Sequence, residues 1–121
     1  MNTIICECEK EHQQAVTEAK AKALSNEELA KACKIFDILS EPIRLKIVLA
    51  LLEGEMCVYH LTEVCGGTVS GVSHQLRLLR DNHIVKTRRL GKNIEYSLAD
   101  GHVKAIVDLA IVHLHCEEKI K

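Results

Sequence analysis

Aromatic residues are nearly missing from this chain of 121 residues: one Phe, two Tyr and no Trp. Its core must be built from Leu, Ile, Val and Ala, which favours helix-on-helix packing extended by a partner subunit. Long apolar runs are missing too. The run IVLALL is six residues long, far short of the roughly 20 that a membrane-spanning helix needs. The N-terminal stretch MNTIICECEK has neither the basic start nor the apolar run of a secretory signal. The expectation is one cytoplasmic domain with no membrane partner, its thiols reduced rather than paired in disulfides. Nor is there a net positive charge: the formal value is −1, which taken alone argues against a nucleic-acid binder.

The distribution of charge reverses that argument. Between Arg77 and Lys92 lie Arg77, Arg80, Lys86, Arg88, Arg89 and Lys92 against the single acid Asp81, a local surplus of +5 that leaves −6 for the remainder. A basic patch on an acidic body marks a local phosphate contact. The second surplus is in metal-ligating side chains. Six Cys and seven His in so short a chain point toward metal or redox chemistry.

Residues 1–11 read as a flexible, Cys-bearing arm and residues 12–121 as the folded domain. A helix through about residue 23 is followed by another after Ser25, which forms a capping box with Glu28. Leu29, Ala32, Cys33, Phe36 and Leu39 give that second helix an apolar face at helical spacing, with Cys33 expected in the core. SEPIRLKIVLALLEGE is bracketed by Pro42 and Gly54. A short helix over about 58–64, the Gly66-Gly67 turn and a helix from the Thr68 cap to about Asn82 make a helix-turn-helix. Val85, Thr87 and Arg89, then Ile94, Tyr96 and Leu98, alternate about the turn LGKN and predict a basic hairpin. A hairpin in that place is a wing. The last segment, residues 100–118, predicts a helix of about 28 Å. Val103, Ile106, Val107, Ala110 and Leu114 form one stripe, and Leu109, Ile111 and Val112 extend it beyond what one small domain can cover. The cover expected is the same helix of a second subunit. The fold class is therefore mainly α with a small β-hairpin wing, a winged helix-turn-helix homodimer.

SEPIRLKIVLALL, EMCVYHL, VSGVSHQLRLLR and ADGHVKAIVDLAIVHLH together resemble the ArsR/SmtB family of metal-sensing bacterial repressors, over about residues 25–118. The resemblance implies a homodimer that binds double-stranded operator DNA and releases it when metal binds. It assigns DNA reading to Ser70, Ser73, His74, Gln75 and Arg77. Chemically these fit: Gln75 suits adenine, Arg77 suits guanine or phosphate, and the serines suit phosphate or base edges. Arg88 and Lys92 of the hairpin fit phosphate. This chain departs from the family at Glu41, usually Asp before the proline, and at Gly71, where a better helix former is usual.

Two metal sites follow. Asp100, His102, His113 and Cys116 match the family's site between terminal helices, with Cys116 standing where Glu or His is usual and Glu117 as the alternative ligand. His102 and His113 are about 16 Å apart along one helix, too far to share an ion. Two antiparallel copies crossing near residue 107 or 108 would bring His102 of one beside His113 of the other. The second site pairs Cys57 and His60, at i and i+3, with Cys6 and Cys8 of the arm, which in relatives reaches across the dimer, and holds His12 in reserve. Tyr59 stands where arsenic-type relatives carry a second Cys, which counts against a three-thiolate site. The donor sets suit zinc, with cadmium or lead as further candidates. The resemblance also implies a link from His113 to the backbone carbonyl of His74. Two other readings remain open, a thiol-based redox repressor of the same fold and a metal-buffering protein with no DNA target. An enzyme is not expected, since no nucleophile and base stand in an evident arrangement.

Overall fold

The computed structural model describes the backbone of residues 9–120 and the side chains of residues 12–116. Two compact units emerge, one ending at Lys34 and one beginning at Ile35. The first holds α1 (Glu9–Lys22) and the start of α2 (Asn26–Leu39). The capping box at α2 forms as expected: Ser25 Oγ accepts from the Glu28 N–H at 3.1 Å, and Glu28 Oε1 accepts from the Ser25 N–H at 3.2 Å. Cys33, expected in the core, is exposed, and so is Leu29. An apolar stripe shows only that a face wants cover, not that its own chain supplies it.

The second unit carries α3 (Pro42–Glu53), β1 (Met56–Cys57), α4 (Val58–Cys65), α5 (Val69–Asp81), β2 (Val85–Leu90), β3 (Asn93–Leu98) and α6 (Gly101–Ile120). Pro42 opens α3, and the Glu41 carboxylate accepts from the Arg44 N–H at 2.9 Å. Glu thus does the capping work of the shorter Asp. The hairpin closes as expected, with Leu90 opposite Asn93 and Gly91 taking a positive φ of 64° in the two-residue turn. The third strand was not foreseen. β1 pairs antiparallel with β3, Met56 opposite Tyr96 and Cys57 opposite Glu95, giving the order β1-β3-β2.

The core is aliphatic, as the dearth of aromatics requires. Ile47 and Val48 of α3, Leu61 of α4, and Leu76 and Leu79 of α5 are fully buried, joined by Val103 and Val107 of α6. Along α6 runs an apolar groove of about 360 Å³ lined by Phe36, Leu39, Leu45, Ile106, Ala110, Ile111 and Leu114. Phe36, on the apolar stripe of α2, is 61% exposed. Among the described residues no helix is long and apolar enough to cross a membrane.

Candidate nucleic-acid interface and metal centres

Helix α5 is two-sided. Val72, Leu76 and Leu79 are buried, while Ser70, His74 and Arg77 are exposed and Ser73 and Gln75 are half-buried. Its first turn is fixed by Thr68, whose Oγ1 accepts from the Gly71 N–H at 3.0 Å. A Cβ at Gly71 would stand 3.1 Å from that same oxygen, which gives the glycine a reason: a side chain there crowds the cap. The other end closes on a Schellman motif. The Ile84 N–H donates to the Leu79 carbonyl at 2.9 Å and the His83 N–H to the Arg80 carbonyl at 3.1 Å, with His83 at a φ of 60° in the place glycine favours. Buried Leu79 and Ile84 supply the apolar contact that accompanies it.

One partner of α5 escaped the sequence reading. Arg44 Nη1 donates to Gln75 Oε1 at 3.2 Å, and Arg44 Nε donates to the Ile38 carbonyl at 2.9 Å. These contacts span 31 and 6 residues of sequence, so no periodic pattern announces them.

The wing is likewise braced by a residue not singled out. Arg88 on β2 forms a bidentate pair with Glu55, at 2.6 Å from Nη2 and 2.7 Å from Nε. The Arg88 guanidinium holds the Glu55 carboxyl below the usual range, and Glu55 raises Arg88 in turn. Both are too exposed for this pair to add much stability; its effect is to orient. Lys92 sits exposed in the hairpin turn. Cys57 lies opposite Glu95, which lies opposite Arg88, so a candidate metal ligand and the wing share one ladder.

Among the described residues of this single chain, no three His, Cys, Asp or Glu side chains converge on one point. Two pairs do meet. Cys57 Sγ and His60 Nδ1 are 3.5 Å apart at the start of α4. Asp100 Oδ1 and His102 Nδ1 are 3.4 Å apart at the start of α6. Bond lengths of about 2.3 Å to sulfur and about 2.0–2.2 Å to nitrogen or oxygen give tetrahedral ligand–ligand edges of about 3.5 and 3.4 Å. Each pair therefore fits as half of a zinc shell. The same separations suit a hydrogen bond, so metal and proton would compete for each position. Cys57 is buried and His60 exposed. Asp100 has another duty: Oδ1 accepts from the N–H groups of His102 at 2.8 Å and Val103 at 3.2 Å. Those bonds cap α6 and hold the Asp100 carboxyl below its usual range.

The remaining donors lie elsewhere. His113 and Cys116 are exposed near the far end of α6. The Glu117 side chain, with Cys6 and Cys8, lies outside the described residues. His12 is on α1, in the first unit. Burial pushes the Cys65 thiol up, in keeping with its place against the core.

A model of the bacterial regulatory proteins of the arsR family matches residues 41–87. The chain is 36% identical over 110 residues to a transcriptional repressor SmtB homolog of Synechocystis, covering 91% of this chain and 83% of that one. It is 39% identical over 114 residues to a cadmium resistance transcriptional regulatory protein CadC homolog of Staphylococcus aureus, covering 93% of each. The crystal structure of the AntR antimony-specific transcriptional repressor superposes with a TM-score of 0.73 at 28% identity, covering 81% of this chain and 89% of that one.

Proposed function

Since the chain belongs to the arsR family of bacterial regulatory proteins, we propose that it is a metal-responsive transcriptional repressor. In this reading it binds operator DNA as a homodimer and releases it on binding zinc, with cadmium or lead as the alternative ions. The observation that carries the reading is the two-sided α5, locked into the core by Val72, Leu76 and Leu79 while Ser70, His74 and Arg77 stay outside. Ser70, Ser73, His74, Gln75 and Arg77 contact base edges and phosphates of the major groove. Lys92 contacts backbone phosphate, and Arg88 does so by exchanging Glu55 for DNA. Homodimerisation is supported by the exposed apolar surface of α6, whose Leu109, Val112 and Leu114 lack cover in one chain.

Two shells would hold metal, Asp100 and His102 with His113 and Cys116 (or Glu117) of a second copy, and Cys57 and His60 with Cys6 and Cys8, His12 being in reserve. The matched edges of the two ligand pairs support both. The name of one relative, a cadmium resistance regulatory protein homolog, supports a divalent ion. The bound ion supplies a cross-link, and the protein converts it into a changed angle between subunits. Because α6 carries the dimer seam, ligands on it set the spacing of two reading helices against a DNA repeat of about 34 Å. The α6 shell is the switch, and the Cys57 shell is accessory.

Titrating zinc, cadmium, lead, arsenite and peroxide into the operator complex, with fluorescence anisotropy as readout, tests this. Zinc should weaken operator binding by roughly 5- to 150-fold, the range of a coupling of about 1–3 kcal/mol. His102→Ala or His113→Ala should abolish release while sparing metal-free binding, and Cys57→Ser should leave release intact. Release by peroxide alone would make the protein a thiol redox repressor. Metal binding without any DNA binding would make it a buffer. A Cys57→Ser protein that metal cannot dislodge, beside a normal His113→Ala, would reverse the two roles.

A further inference from the structure

We propose that Arg44 is a positioning residue that fixes which edge of the Gln75 amide faces DNA, so that Gln75 reads guanine rather than adenine. The inference rests on the reading of α5 as the groove-entering helix. A guanidinium carries donors only, so the amide atom it meets at 3.2 Å is the carbonyl oxygen, Oε1. The carbonyl is thereby turned inward and the amide nitrogen outward. Arg44 is not free to yield. Its Nε is held by the Ile38 carbonyl, in the last turn of α2, where carbonyls have no partner within the helix. Its own N–H is held by the Glu41 carboxylate. One rigid, planar fork therefore fixes two acceptors at once.

Adenine recognition by glutamine is bidentate: the amide donates to N7 and accepts from the N6 amino group. Arg44 takes one of the two lone pairs of the carbonyl oxygen and draws that oxygen toward α3, so the edge Gln75 turns to DNA is the amide N–H pair, which matches the two acceptors of guanine, N7 and O6. Arg44 itself need touch no base. It determines specificity through Gln75.

The test is selection of operators from a randomised library by the full-length dimer, followed by anisotropy on single-base variants. The Gln75→Ala protein identifies the base pair that depends on residue 75. There the wild-type protein should prefer guanine to adenine by roughly 5- to 150-fold, the equivalent of about 1–3 kcal/mol for a good base contact. Replacing that base by 7-deazaguanine should remove part of the preference. Arg44→Met, which keeps the stem but no donor, should shift the preference toward adenine. Gln75→Glu keeps an acceptor for Arg44 but removes the outward donor, so guanine preference should vanish even if Arg44→Met fails to fold. Wild-type preference for adenine, or guanine preference surviving in folded Arg44→Met or in Gln75→Glu, overturns the inference alone. Unchanged base preference in Gln75→Ala overturns the reading of α5 along with it.

Discussion

Helices α5 and α6 both begin on a side-chain cap, Thr68 for one and Asp100 for the other, yet they end in opposite conditions. Within 13 residues α5 buries Val72, Leu76 and Leu79 and closes on His83 and Ile84. Over its 20 residues, among those whose side chains are described, α6 buries only Val103 and Val107, and leaves Leu109 68% exposed. The first is complete in one chain. The second leaves an apolar face exposed, and the groove beside it takes in exposed Phe36 as well. A reading element gains from being rigid before it meets DNA, since ordering it on binding would cost affinity. An assembling element gains from staying unsatisfied until its partner arrives.

The contrast is open to breakage at several strengths. Leu76→Ala should destabilise the protein by about 2–5 kcal/mol, the cost of a core cavity, in urea melts whose midpoint shift is the same at low and high protein concentration. A shift below about 1 kcal/mol would mean that α5 is less firmly seated than its burial suggests. Leu114→Glu should leave the single chain folded but raise the dimer dissociation constant at least tenfold, about 1.4 kcal/mol, by sedimentation. Loss of circular dichroism instead would place Leu114 in the core of one chain. Thr68→Ala removes the α5 cap and should cost about 1 kcal/mol. His83→Gly should work the other way, stabilising by up to about 1 kcal/mol because glycine takes the left-handed conformation without penalty. The smallest effect is a pH dependence. The Arg44 N–H holds the Glu41 carboxyl below its usual value, so its stabilisation is full above about pH 4.3 and lost as pH falls through the lowered value. Glu41→Gln should therefore be less stable than wild type near neutrality and equal to it in strong acid.

The parts that were legible are those whose causes are local. Ser25 with Glu28, Thr68, Pro42 and the Gly91 turn each act within four residues, and each stands where the pattern put it. β1 was not legible because two residues, Met56 and Cys57, carry no alternation; only β3 makes them a strand. The Arg44–Gln75 and Arg88–Glu55 contacts join residues 31 and 33 apart, and no spacing rule reaches so far. Cys33, expected in the core, is exposed for a different reason. Periodicity locates an apolar face but is blind to whose surface covers it. The candidate site was legible as donor types and as the pairs Cys57 with His60 and Asp100 with His102, while their separations of 3.5 and 3.4 Å needed coordinates.

Among the described residues, the order β1-β3-β2 leaves the sheet with two unpaired edges. One belongs to β1, only two residues long. The other belongs to β2, where Lys86, Arg88 and Arg89 stand in a run of six. Unpaired strand edges invite further strands, and proteins blunt them by brevity or by charge. This small sheet uses both means. With Arg88 paired to Glu55, the charges of Lys86 and Arg89 disfavour the pairing of that edge with the same edge of a neighbouring copy, and so guard against strand-to-strand aggregation.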